Sequence, residues 1–303
     1  MKFFKYILIL FVVQTSFAQQ ETLFSQYMFN PALFNPAYTG SRGVSSFYMH
    51  HRSQWVEMEG APKTSYVGFQ TLLDNQKLGL GFNALTEAVG PIRSTTLNLD
   101  WSYHLKLGLV GKLAFGIKGT LDKLDIDLYD INQYQNDGYL YSNIDRPFVT
   151  NFGMGFFYYT DRFYVGGSIP YLFRNKHYDT ANFTAEDWSH LYLSAGYVFD
   201  LSPQLKFKPS VFYRSVPDII QQLDISGSLL IDDKVQLGLT YRLDTAYSVM
   251  SAFQLSPQVL IGYSYDREAT ALQQFNKGSH EVFLRYEFSS LINKLKIQSP
   301  RFF

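Results

Sequence analysis

Serine, histidine and carboxylate residues stand side by side at two places, Ser189-His190 and Ser279-His280-Glu281. Gathered into one cluster, such groups could run acyl transfer, with serine as nucleophile, histidine as base and the acid orienting it. His50-His51 is a third candidate, as a pair of imidazole metal ligands. Each case depends on the element that carries the residues. On an extended strand successive side chains point to opposite faces. Sequence neighbours then share neither a triad nor a metal shell. The chain has no G-x-S-x-G elbow and no H-E-x-x-H motif. Gly111 to Gly119, interleaved with Lys112, Phe115 and Lys118, alternates as a strand does and lacks phosphate-loop spacing. Cysteine is absent, which removes thiol catalysis and cysteine-based metal sites. The expectation is a protein without catalytic residues, metal or cofactor.

The elements that carry these residues have a period of two. Lys234, Gln236, Gly238, Thr240 and Arg242 alternate with Val235, Leu237, Leu239, Tyr241 and Leu243. Asn98, Asp100, Ser102, His104 and Lys106 alternate with Leu97, Leu99, Trp101, Tyr103 and Leu105. Lys206, Lys208, Ser210 and Arg214 face Leu205, Phe207, Val211 and Tyr213 in the same way, as do Glu281, Arg285 and Glu287 with Val282, Leu284, Tyr286 and Phe288. A charge at every second position suits a wet or ion-paired lumen behind a lipid-facing wall. Glycines at Gly79, Gly81, Gly153 and Gly155 take inward positions, either to leave room for larger neighbours or to bend the wall.

Strands are expected to start near Val44, Lys63, Gln76, Pro91, Leu109, Phe148, Arg162, Trp188, Pro203, Asp218, Asp233, Ala246, Pro257 and Ser279. Connections after the even strands are tight, for example Leu107-Gly108, Thr160-Asp161-Arg162 and Asp232-Asp233. Several after the odd strands are long: 54–62, 124–147, 171–187 and 268–278. This sorting of loops fits a barrel with periplasmic turns at one end and surface loops at the other. The fold class is therefore all-β, a transmembrane antiparallel β-barrel of about fourteen strands, with an N-terminal plug or periplasmic segment. An even strand count places both termini on the periplasmic side.

Composition agrees. Phe (27), Tyr (23) and Trp (3) make up 17% of the 303 residues, yet the mean hydropathy is only −0.11. Lys2 and Lys5, an apolar stretch from Tyr6 to Val13, and small Ser16 and Ala18 read as a secretory leader cleaved before Gln19. The apolar stretch is shorter than the roughly 20 residues that span a bilayer. Removing its two lysines from 26 basic residues leaves 24 against 26 acidic, a net charge of −2. No basic field for nucleic acid results. The expected division is a leader at 1–18, a motif segment at 19–43, the barrel at 44–289 and a periplasmic tail at 290–303. That tail, with Lys294, Lys296 and Arg301, departs from barrels that finish on an aromatic strand.

Two N-terminal stretches are more specific: Phe24-Ser25-Gln26-Tyr27-Met28-Phe29-Asn30-Pro31-Ala32-Leu33-Phe34-Asn35-Pro36-Ala37-Tyr38-Thr39-Gly40-Ser41, and Arg52-Ser53-Gln54-Trp55-Val56 followed by Glu59-Gly60-Ala61-Pro62-Lys63-Thr64. With Gly90-Pro91, His190 to Phe199, Tyr241-Arg242, Gly262 to Asp266 and Gly278 to Glu281, the chain resembles the PorP/SprF family of type IX secretion system membrane proteins of the Bacteroidota. The resemblance implies a non-enzymatic barrel inserted in outer-membrane lipid after Sec-dependent export. It also implies a role in export or surface attachment of cargo such as adhesins with a type B C-terminal sorting domain, or in gliding motility. Other type IX components would be partners. The alternative is a porin or hydrophobic-solute transporter with the same wall. Phe24, Gln26, Tyr27, Asn30, Pro31, Phe34, Asn35, Pro36 and Tyr38 are candidates for a lumen plug or a partner contact. Arg52, Trp55, Glu59 and Lys63 are candidates for a surface-loop contact, or for an interfacial tryptophan among surface ion pairs.

Overall fold

The computed structural model describes residues 24–73, 77–127, 144–145, 147–173, 176–180, 183–186, 189–216 and 220–288. The expected leader, the expected C-terminal tail, most of the long connection expected at 124–147 and the tight connection that Asp74-Asn75 would make after the second strand lie outside them. Period-two segments form the wall strands: β1 (Ser46–Ser53), β2 (Lys63–Leu72), β3 (Leu78–Val89), β4 (Ile92–Leu107), β5 (Gly111–Ile126), β6 (Val149–Tyr159) and β7 (Phe163–Ile169). They continue with β8 (Leu191–Tyr197, resumed at Phe199–Ser202), β9 (Leu205–Val216), β10 (Ile220–Ile231), β11 (Val235–Arg242), β12 (Ala246–Gln254), β13 (Val259–Glu268) and β14 (Ser279–Glu287). Each pairs antiparallel with its sequence neighbours. β1 pairs with β14 from Ser46↔Glu287 to Ser53↔His280, which closes a fourteen-strand barrel. Closure leaves no open sheet edge in the wall, the condition for crossing lipid with strands. No helix among the described residues is long and apolar enough to cross a membrane.

Loop chemistry explains the strand ends. At Asp232-Asp233 both residues have positive φ (50° and 52°), the type I′ geometry whose twist matches paired strands. Lys206 Nζ holds Asp233 Oδ1 at 2.7 Å. The tight connections after even strands gather at one end of the barrel. The loops at 54–62 and 269–278 lie at the other, hereafter the long-loop end. At that end a short strand, Ile144–Asp145, adds to β5, and a separate hairpin joins Lys176–Thr180 to Phe183–Glu186.

The alternation sorts the two faces. Leu237, Leu239, Leu99, Trp101, Phe115 and Ile117 point outward and are exposed, forming the apolar band that lipid requires. Gln236, Thr240, Arg242, Asn98, Asp100, Ser102, His104, Lys208 and Arg214 point inward and are buried. Their burial follows from what fills the lumen. Residues 24–42 lie inside it.

Candidate functional site

The inner segment is made of three 3-10 turns, Tyr27–Phe29, Pro31–Leu33 and Pro36–Tyr38. The two Asn-Pro pairs set this geometry. Proline has no N–H and suits the first position of a helical turn, while the residue before it is pushed out of the helical region. Asn35 is extended (φ −121°, ψ 104°), and its side-chain oxygen accepts from Ala37 N at 3.0 Å. The chain therefore restarts at each proline instead of extending one helix. The result is compact enough for a barrel interior.

From Phe24 to Arg42 the segment descends the lumen and touches the inner wall nearly all round. At the long-loop end, Ser25 N and Gln26 N donate to the two oxygens of Glu281, at 2.8 and 3.1 Å. Ser25 Oγ donates to Asp266 Oδ2 at 2.6 Å. Arg52 bridges Asp266 and Glu281 from β1, and His50 Nε2 lies 3.2 Å from Glu281. Halfway down, Tyr27 stacks on Phe212 at 4.4 Å and shares a hydrogen bond with Ser226 Oγ at 3.0 Å. Phe34 meets Phe212 edge-on, and Phe29 packs on Phe283. Lower still, Asn35 Nδ2 donates to Phe156 O, Ser168 Oγ to Phe34 O, and Ser102 Oγ to Thr39 O. Gly40 N reaches Gln70 Oε1 at 3.1 Å, and Arg42 pairs with Glu287 at 2.6 Å at the short-turn end. β1 begins and β14 ends at the short-turn end, as the even strand count implies. The segment before β1, however, runs through the lumen, so Phe24 sits at the opposite end.

The wall is shaped to receive it. A Cβ on Gly116 would fall on Pro36 and Ala37, and one on Gly155 would fall on Asn35 Oδ1. At Gly79 it would meet Thr39 O. These inward glycines make room for a backbone, whereas Gly153 makes room for Pro170. A small cleft, partly open to solvent, remains between the segment and β1–β4, lined by polar and aromatic side chains alike, among them Asn30, Thr39, Tyr48, Tyr66, Asn83 and Asp100. The flank toward β8 and β9 is aromatic.

Gly116→Val tests this fit. Overpacking against Pro36 and Ala37 is expected to cost about 1–3 kcal/mol of stability, read by denaturant unfolding of the refolded barrel. In a chain also lacking residues 24–40 most of that cost should vanish. An equal cost in both backgrounds would locate the strain in the wall itself.

The structure brings Phe24, Gln26, Tyr27, Asn30, Pro31, Phe34, Asn35, Pro36 and Tyr38 together in the lumen, all of them buried. Trp55, Glu59 and Lys63 are at the long-loop end. Trp55 donates through Nε1 to Glu268 at 3.0 Å and through its backbone N–H to Ser279 Oγ. Val56 and the 277–278 backbone exchange hydrogen bonds, and Lys277 pairs with Glu57 at 2.6 Å. Loops 54–62 and 269–278 are therefore laced together. Arg52 is separated from these three: it is the last inward residue of β1, 2% exposed, and it faces the lumen, not the surface loop. Asp266 and Glu281 are not among the contact residues that the sequence offers, although both lie in segments that carry the family resemblance. Their spacing from Arg52 is a cross-strand property that no local motif displays.

The chemistry considered at first is dispersed. Ser279 and Glu281 face inward, while His280 faces out and bonds Tyr263 OH at 2.7 Å. His50 is in the lumen and His51 is outside beside Ser65. Among the described residues no three metal-ligating side chains gather.

A closed antiparallel barrel with an apolar outer band, a charged lumen and a chain segment seated inside it is a transmembrane β-barrel of the outer-membrane type. More specifically, the chain belongs to the PorP/SprF family of type IX secretion system membrane proteins, whose family model matches residues 16–286. Among solved structures it is similar to the Acinetobacter baumannii outer membrane protein Omp33, with 7% identity over 81% of this chain and 98% of that one and a TM-score of 0.49. It is also similar to the CymD monoaromatic hydrocarbon channel, with 11% identity over 88% and 94% and a TM-score of 0.49. No curated protein matches the chain.

Proposed function

We propose that this barrel is a non-enzymatic partner of the type IX machinery that assists export or surface attachment of particular cargo. The cargo class is proteins with a type B C-terminal sorting domain, including adhesins, and gliding motility is one process it would serve. In this reading residues 24–42 keep the lumen shut in the resting barrel. The match to the PorP/SprF model over residues 16–286 carries the proposal. The inner segment supports it over the porin or hydrophobic-solute transporter reading, because that reading needs a path which this segment occupies. The contacts of Phe24 to Tyr38 with the wall favour a stopper role. Trp55, Glu59 and Lys63 remain the candidates for contact with a partner at the surface, in company with Glu57 and Lys277.

The test compares outer-membrane, cell-surface and culture-medium proteins of a parent strain with those of a deletion of this gene. Selective loss or misplacement of one or a few large cargo proteins is the expected result. An unchanged surface proteome would overturn the cargo role and leave solute passage to be measured instead.

A further inference from the structure

We infer that Asp266, Glu281 and Arg52 form a peptide-binding seat near the long-loop end of the lumen, which the chain's own Ser25 and Gln26 fill and which a partner peptide of the same pattern takes when they leave. The geometry is that of backbone recognition. Two consecutive N–H groups are each matched to one oxygen of Glu281, at 2.8 and 3.1 Å. The hydroxyl between them is matched to Asp266 at 2.6 Å. Arg52 neutralises both acids from the neighbouring strand, and His50 borders Glu281. None of the three bonds to the segment depends on the ligand having a long or charged side chain.

The seat lies close to the rim. Arg52 pairs across strands with Glu281, and Asp266 with Ser279, the first residue of β14 after the 269–278 loop. Beyond the two N–H groups the wall offers Phe212 as a stacking face and Ser226 as a hydroxyl partner, which Tyr27 uses. The chemistry that fits is therefore a peptide with serine or threonine, any residue, then an aromatic residue. Charge-assisted bonds from an acid to N–H groups are stronger than neutral ones, and a fully desolvated acid needs them. An occupant that removes the segment must replace these bonds, which selects for this pattern. The inference rests on the reading of residues 24–42 as a movable stopper.

The experiment uses the full-length chain refolded into lipid. Ser25→Pro with Gln26→Pro removes both N–H donors of the resident segment and leaves the wall intact. The probe is a fluorescent synthetic peptide of residues 24–31, followed by anisotropy, with channel conductance recorded in parallel. The double-proline chain is expected to bind the peptide about tenfold or more tightly than the unmodified chain, one charge-assisted bond being enough for that factor. Adding Glu281→Gln, or separately Asp266→Asn, should remove the gain. A probe carrying proline at both positions should not bind. Absence of peptide binding by a folded double-proline barrel, or binding indifferent to both acid substitutions, overturns the seat. Conductance separates the two ideas: peptide binding without any rise in resting conductance sinks the stopper and keeps the seat, and a rise without peptide binding does the reverse.

Discussion

Arg52→Ala is expected to destabilise the folded barrel by about 3–5 kcal/mol, because it leaves two buried carboxylates facing one another. Asp266 and Glu281 have side-chain exposures of 2% and 0%, and Arg52 of 3%, so bulk water does not compensate them. His50 touches Glu281 and does not span both acids. Arg52→Lys should fall in between, since a single ammonium replaces a planar fork that reaches two partners. Arg52→Met combined with Glu281→Gln should cost less than the sum of the two single changes. Denaturant unfolding followed by tryptophan fluorescence in lipid vesicles reads all of these. A loss below about 1 kcal/mol for Arg52→Ala would match a solvated surface pair and would mean that lumen water reaches the cluster.

Deleting residues 24–36 should give the second large effect, on passage through the barrel more than on its assembly. The deletion removes the buried side chains of Phe24, Tyr27, Met28, Phe29 and Phe34. Their burial favours the seated segment, but the conformational entropy lost in ordering it opposes that gain, so the wall's own stability does not hang on the segment. The wall keeps every strand-to-strand ladder, because the segment pairs with none of them as a strand. A heat-modifiable, membrane-inserted barrel is therefore expected. Its conductance in planar bilayers should rise on the order of tenfold or more, as a polar lumen fills with water. In cells, cargo retention at the surface should be lost. Normal barrel levels with unchanged surface cargo would remove the segment from the secretion role, and unchanged conductance would remove it as a stopper.

Much of the wall was legible because lipid outside and charge inside impose a strict alternation. The strands begin close to where that alternation and the turn residues place them; the largest displacement is from Trp188 to Leu191. Fourteen strands follow from the same count. Short turns such as Asp232-Asp233 were visible because few residues tolerate their backbone. The interruption of β8 at Val198 was not visible, since nothing in the alternation marks it. The inward glycines showed only that space is needed. Whether a side chain or a chain segment takes that space is decided by Pro36 and Asn35, which come about 80 and 120 positions earlier than Gly116 and Gly155. Arg52 shows the same limit. Read along the chain it borders a surface motif. Across the barrel it belongs with Asp266 and Glu281, far away in sequence.

The inner segment is joined without a break to β1 through residues 43–45, so in the proposed stopper role it would leave its seat as a leashed object. A short leash confines the freed end to an effective concentration in the millimolar range. Rebinding is then a local event that needs no energy source and no helper. Any partner that enters must either bind with much higher affinity than the resident or be delivered at the moment of release. A stopper of the proposed kind would reseal by default, its open interval set by the visitor and not by the gate.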